Sequence, residues 1–175
     1  TALENMPADL NSLLALKLDG RSIADQIAEQ TGIIGEKLEL SFYGKLEAED
    51  AIAYIHPGNK LATIVGFNKP ADMQVKKDVA MQVAAMDPIS IDKNDVPESV
   101  IAHELEIGKE KAREEGKPEN MLEKIAQGRL NKFFQESTLM NQAFIKEAKQ
   151  TVKAYIQSND KDLTVTGFVR YTLND

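Results

Sequence analysis

The run Gly116-Lys117-Pro118-Glu119-Asn120 constrains the fold of this chain more than any other. A glycine supplies the left-handed exit from one helix and a proline two residues on presets the start of the next, so the flanking helices fold back antiparallel. Upstream, Asp95-Val96-Pro97-Glu98 has the form of a capping box, with the Asp95 carboxylate placed for the amide of Glu98 and Pro97 tolerated in the first turn. The helix that opens there is expected to reach about Glu115, a length of about 27 Å. On it Ile101, Leu105, Gly108 and Ala112 recur at helical spacing, a seam whose two small residues permit close helix approach. Met121, Leu122, Ile125, Ala126, Leu130 and Phe133 supply the returning face, with Leu122 and Ile125 completing the seam. Glu104, Glu106, Lys109, Glu110, Arg113 and Glu114 cover the outside, which reads first as a solvated surface and second as an oligomer contact.

Elsewhere the hydrophobic period changes along the chain. Ala8 to Ala15 and Ser22 to Gln30 are spaced as two short helices, broken at Asp19-Gly20. From Gly35 the period is two, and Lys37 to Tyr43 reads as a half-buried strand carrying Leu38, Leu40 and Phe42 on one face. Ile52 and Tyr54 then alternate into His56-Pro57-Gly58-Asn59, which turns the chain into Leu61, Thr63, Val65 and Phe67, an antiparallel hairpin. Val75 to Met86 is expected to be a helix with Val79, Val83 and Met86 inward and Lys76, Lys77 and Gln82 outward, closed by Asp87-Pro88. A short helix follows over Thr151 to Gln157. In the last strand Leu163, Val165, Val169 and Tyr171 are expected to point one way and Thr164, Thr166, Phe168 and Arg170 the other. The class is therefore α+β: a small antiparallel sheet with helices on one side and an inserted antiparallel helical hairpin.

Composition narrows the function. The 175 residues are 42 % hydrophobic and 28 % charged, enough for one sizeable core or two small ones. A net charge of −7 disfavours nucleic acid, whose phosphates need clustered Lys and Arg, and favours a protein partner. The absence of cysteine removes disulfides and thiolate metal sites and fits a cytoplasmic protein. No apolar run approaches the roughly 18 residues of a membrane span, so no membrane partner is expected. The chain opens at Thr1 rather than at a methionine, which reads as processing or as a piece of something longer.

Signatures of catalysis are scarce. No phosphate-binding P-loop, dinucleotide fingerprint or nucleophile elbow occurs. His103-Glu104 opens like a zinc-binding H-E-x-x-H motif, but position 107 is Ile, so a ligand is missing. Asp92-Lys93-Asn94-Asp95-Val96-Pro97 is a poor calcium loop, because proline stands where the sharp turn needs glycine; helix capping explains its acids. A small-molecule enzyme would need converging titratable groups, which two histidines and no motif do not provide. No cofactor and no catalytic residue is therefore expected.

Several segments in order resemble elongation factor Ts. They are Tyr54-Ile55-His56-Pro57-Gly58-Asn59, Asp78-Val79-Ala80-Met81-Gln82-Val83-Ala84-Ala85-Met86, and Val96-Pro97 opening a helix. The hairpin turn at Gly116, Gly128-Arg129-Leu130, Gln142-Ala143-Phe144-Ile145-Lys146 and Val165-Thr166-Gly167-Phe168-Val169-Arg170-Tyr171 follow the same pattern. The resemblance implies a guanine-nucleotide exchange factor for elongation factor Tu in translation elongation. Such a factor binds its partner's GDP-bound and nucleotide-free states and releases GDP without covalent chemistry. It also implies that His56, Gly58 and Asn59 face the GTPase domain and that Phe144, Ile145 and Lys146 lie in the segment meeting the partner's third domain; Phe144 by itself reads as core. The helical hairpin matches a dimerisation or coiled-coil domain, so a homodimer is a second expected partner state. A structural adaptor that self-associates through this hairpin is the alternative function.

On the same resemblance, residues 1–49 are the remnant of a first core subdomain, 50–88 with 138–175 form the second, and 89–137 are the inserted hairpin. The family's Thr-Asp-Phe-Val motif, pushed toward the partner's magnesium site, is missing: this chain has no Asp-Phe pair. A fragment with reduced exchange activity is therefore expected, and the strand at 37–43 would lack its usual neighbours.

Overall fold

A computed structural model describes residues 1–173. The chain divides into two compact units, Thr1–Lys45 and a larger one from Leu46 onward.

The first unit contains helices α1 (Ala2–Asn5) and α2 (Leu10–Ala15), a minimal hairpin of β1 (Lys17–Leu18) and β2 (Arg21–Ser22), and α3 (Ile23–Ile34). Asp19 and Gly20 both have positive φ (54° and 84°), as a primed two-residue hairpin turn requires, so the expected break is a small ladder. The Ser22 hydroxyl accepts from the Asp25 amide at 3.0 Å and caps α3. Gly35 closes it with φ 78°. Among the described residues the strand expected at Lys37–Tyr43 forms no ladder. Leu38 and Leu40 instead line an apolar groove with Leu10, Leu14, Ala24 and Ile27. Alternation fits an extended segment as well as a strand, and only a neighbouring strand makes it a ladder.

The second unit is built on a three-stranded antiparallel sheet of β3 (Asp50–Ile55), β4 (Leu61–Phe67) and the last strand, β7 (Val165–Thr172), with β4 central. Helix α4 (Met73–Met86) covers one face. It begins where the Asp72 carboxylate accepts from the Gln74 and Val75 amides and ends at left-handed Asp87 before Pro88. Val65 and Phe67 meet Val75, Val79, Ala80 and Val83 in the core, joined by Leu139, Met140, Phe144, Val152 and Ile156. Each large apolar side chain buried there contributes about 1.5–3 kcal/mol.

The inward face of α4 corrects the expectation. Val79 and Val83 are buried, but Met86 is 43 % exposed. Lys76 and Gln82, expected outside, are buried. The Lys76 ammonium donates to both Asp50 oxygens at 2.9 and 2.7 Å, and Gln82 is consumed in a polar network described below. Their partners lie 26 and 60 positions away, which helical periodicity cannot register.

The inserted hairpin consists of α5 (Glu98–Glu114) and α6 (Leu122–Ser137). Gly116, at φ 72°, ends α5 in a Schellman motif: its amide donates to Arg113 and the Lys117 amide to Ala112. An alanine Cβ at Gly108 would lie 3.1 Å from the Ala126 Cα. Gly108, Ala112, Leu122, Ala126 and Leu130 are buried, and Ile101, Leu105 and Ile125 are half-buried. The capping box exists but lies three residues early: the Asp92 and Asp95 carboxylates cap a short turn, Asp95 accepting from the Asp92 amide at 2.9 Å. Pro97 is the N-cap of α5, with no side-chain cap. Main-chain bonds tie Ile89 to Ser137, Leu139 to Ser90 and Met140 to Ile91, anchoring both ends of the hairpin beside the core.

After α6 a small hairpin of β5 (Ala143–Phe144) and β6 (Glu147–Thr151) leads into α7 (Val152–Asn159) and then β7 (Val165–Thr172). The facing expected along β7 fails midway. Phe67 pairs with Val165 but Gly66 with Gly167, so a bulge sits at Thr166. Beyond it Phe168 packs on the core and the Arg170 side chain donates to the Ala84 carbonyl, while Val169 and Tyr171 take the opposite face.

Candidate docking site between two hairpin tips

The β3–β4 tip is shaped by its turn residues. The Asn59 amide donates to the His56 carbonyl at 3.0 Å, and the His56 amide to the Leu61 carbonyl at 2.9 Å. Pro57 occupies the second turn position, and Gly58, at φ 94°, takes the third, where a side chain would be strained. His56, Gly58 and Asn59 are all exposed. Tyr54 Oη and His56 Nδ1 lie 3.0 Å apart, within hydrogen-bond distance.

The second tip is the Ile145-Lys146 turn between β5 and β6, where Phe144 pairs with Glu147. Phe144 is 3 % exposed and stacks on Tyr155 with ring centroids 4.1 Å apart, so its side chain belongs to the core. Ile145, the next residue, is 40 % exposed. The Ile145 amide donates to Gln82 Oε1 at 2.9 Å, and Gln82 Nε2 donates to Gln142 Oε1 and to the Ala143 carbonyl, both at 3.1 Å. Lys146 Nζ donates to Asp78 Oδ1 at 2.6 Å, Gln74 donates to the same oxygen at 2.7 Å, and Tyr155 Oη donates to Oδ2 at 2.8 Å. Burial pushes the Asp78 carboxyl up, but the bonds from Lys146, Tyr155 and Gln74 outweigh it and hold it below the usual carboxylate value. The Tyr155 hydroxyl is pushed well up by burial and by its bond to that carboxylate.

The fold brings the two tips together. Tyr54, His56 and Leu61 from the first, Met81, Ala84 and Ala85 from α4, and Ile145 from the second line one hollow of about 210 Å³. Of the six residues expected to meet a partner, His56 and Ile145 share this hollow. Gly58 and Asn59 form the turn beyond it, Lys146 is turned back onto Asp78, and Phe144 is internal. Met81, Ala84 and Ala85 carried no sequence signal as site residues, because on a helix they look like ordinary core spacing. The hollow is walled by aliphatic and aromatic groups with one imidazole, a lining that can take up an apolar side chain. Among the described residues no group of three or more His, Asp and Glu side chains is placed to hold a metal ion, and no helix is long and apolar enough to cross a membrane.

The larger unit is a mixed α+β fold that carries two exposed hairpin tips, an apolar hollow and an antiparallel helical hairpin. The family model for elongation factor Ts matches residues 1–175. The chain is 49 % identical to elongation factor Ts of Porphyromonas gingivalis over 175 residues, which is 99 % of this chain and 64 % of that protein. It is 50 % identical to that of Azobacteroides pseudotrichonymphae, covering 98 % of this chain and 63 % of the relative, and 49 % identical to that of Amoebophilus asiaticus, covering 97 % and 62 %. The chain belongs to the elongation factor Ts family, and it spans a little under two thirds of the length of these relatives.

Proposed function

We propose that this chain is part of a guanine-nucleotide exchange factor for elongation factor Tu, working in the cytoplasm during translation elongation by protein contact alone. The observation that carries the reading is the convergence of His56 and Ile145 on one hollow: two segments 89 residues apart, each expected to meet the partner, share a surface. The mechanism is linkage. A protein that binds the nucleotide-free GTPase more tightly than the GDP-bound form weakens GDP binding by the same factor. No bond is made or broken, and the work is done by differential affinity.

Because the chain lacks an Asp-Phe pair, it docks without the motif that would disturb the partner's magnesium site. It therefore binds elongation factor Tu but exchanges nucleotide poorly. Release of fluorescent GDP from elongation factor Tu tests this: a modest acceleration, well below that of a full-length factor, is expected. Release as fast as with the full-length factor would overturn the reduced-activity reading. Self-association through the helical hairpin has less support, since Gly108, Ala112, Leu122 and Ala126 are buried within one chain.

A further inference from the structure

We propose that Asp78 and Gln82, on the inner side of α4, are positioning residues that set Ile145 at the rim of the docking hollow, and that Lys146 is a tether to Asp78 rather than a contact cation. This deepens the docking reading above and rests on it. A two-residue turn between strands as short as β5 and β6 has little to hold it, since an isolated two-stranded hairpin is marginal in water. Here the tip's side-chain hydrogen bonds at Ala143, Ile145 and Lys146 run to α4. Gln82 holds the Ile145 amide and the Ala143 carbonyl, one main-chain group on each side of Phe144. Asp78 holds the Lys146 ammonium, and through Tyr155 it also fixes the ring on which Phe144 stacks.

Asp78 and Gln82 are four residues apart, one helical turn, so a single rigid element sets both flanks of Ile145. That same helix contributes Met81, Ala84 and Ala85 to the floor of the hollow. Floor and rim are thereby held by one element, the arrangement in which supporting residues fix the geometry of a binding surface. The half-exposed Lys146 side chain lies back on Asp78, and the tip residue that lines the hollow is Ile145.

The test is a double-mutant cycle on the full chain, read as affinity for elongation factor Tu. Ile145→Ala is expected to weaken binding about tenfold, and Asp78→Asn about fivefold, as truncation of a central contact and of its support should. The double variant is expected to bind no worse than Ile145→Ala alone, because Asp78 acts through that side chain. Likewise Lys146→Met is expected to add nothing on top of Asp78→Asn. Additive losses in either cycle would overturn the proposal, showing that Asp78 or Lys146 contributes separately from the tip. Amide hydrogen exchange on the free chain gives a readout independent of the partner: the Ile145 amide is expected to exchange at least tenfold faster in Gln82→Leu and in Asp78→Asn. Unchanged protection would overturn the positioning role. If Ile145→Ala and His56→Ala both bind normally while protection falls in these variants, the clamp stands and the docking reading fails.

Discussion

Gly108 and Gly128 lie on the same helical hairpin and respond oppositely to an added methyl group. At Gly108 the new Cβ would come within 3.1 Å of backbone at Ala126, which cannot rotate away. Gly108→Ala is expected to lower stability by about 1–3 kcal/mol, because overpacking a seam exceeds the gain in helix propensity. At Gly128 nothing lies within 4 Å and φ is not positive, so Gly128→Ala is expected to raise stability by about 0.5–1 kcal/mol. Thermal denaturation of the two variants checks both signs. The small residue at 108 was legible from its place in the seam with Ile101, Leu105 and Ala112. Gly66 and Gly167 were not, because the atoms that crowd them, Ala48 and Leu46, come from a segment whose pattern gives no hint of where it lies.

At the scale of elements, the helices and the β3–β4 hairpin could be read from local rules, since periodicity, the Gly116-Lys117-Pro118 turn and Pro57-Gly58 act within a few residues. The inner face of α4 could not. Lys76 and Gln82 look like surface residues until Asp50 and Gln142 are brought to them by the sheet and by the small β5–β6 hairpin. The bulge at Thr166 is a second case: strict alternation continues through it in sequence, while the pairing shifts by one residue and turns Phe168 and Arg170 inward. The helical hairpin also separates energy from appearance. Lys109–Glu123, Arg113–Glu119 and Arg129–Glu115 link α5 to the chain beyond its turn with exposed or half-exposed partners, where screening leaves each pair about 0–1 kcal/mol. Arg129→Ala is expected to cost less than about 1 kcal/mol, whereas Leu130→Ala, which empties a buried site, is expected to cost about 2–5 kcal/mol. Urea denaturation of the pair distinguishes them, and equal losses would contradict the assignment of hairpin stability to its apolar seam.

At the scale of the whole molecule, acid is the condition that should undo the fold. The Asp50 carboxyl is held below its ordinary value by the Lys76 ammonium and the Ala71 amide. At Asp92 burial acts upward but is outweighed by Asn141 and the Lys93 amide, and Asp78 is lowered as described. A carboxyl with a depressed folded pKa contributes stability that is complete above its unfolded value, about 4, and is lost as pH falls through the lower folded value. The melting temperature is therefore expected to stay nearly level from about pH 7 to 5 and to fall below about pH 4. Asp78→Asn should lower the plateau and flatten the acid limb; an unchanged acid limb would remove Asp78 from this account. The proposed function rests, at this scale, on two tips that meet on one surface. The family resemblance pointed to His56 and Ile145 separately, but only the fold shows them sharing a hollow, with Met81, Ala84 and Ala85 as its floor. The measurement that tests this most directly is calorimetric titration of elongation factor Tu with the full chain and with its Ile145→Ala and His56→Ala variants. Binding by the parent chain that weakens about tenfold in the Ile145→Ala variant, with each variant as folded as the parent by circular dichroism, is the expected result. Binding that both substitutions leave unchanged would contradict it.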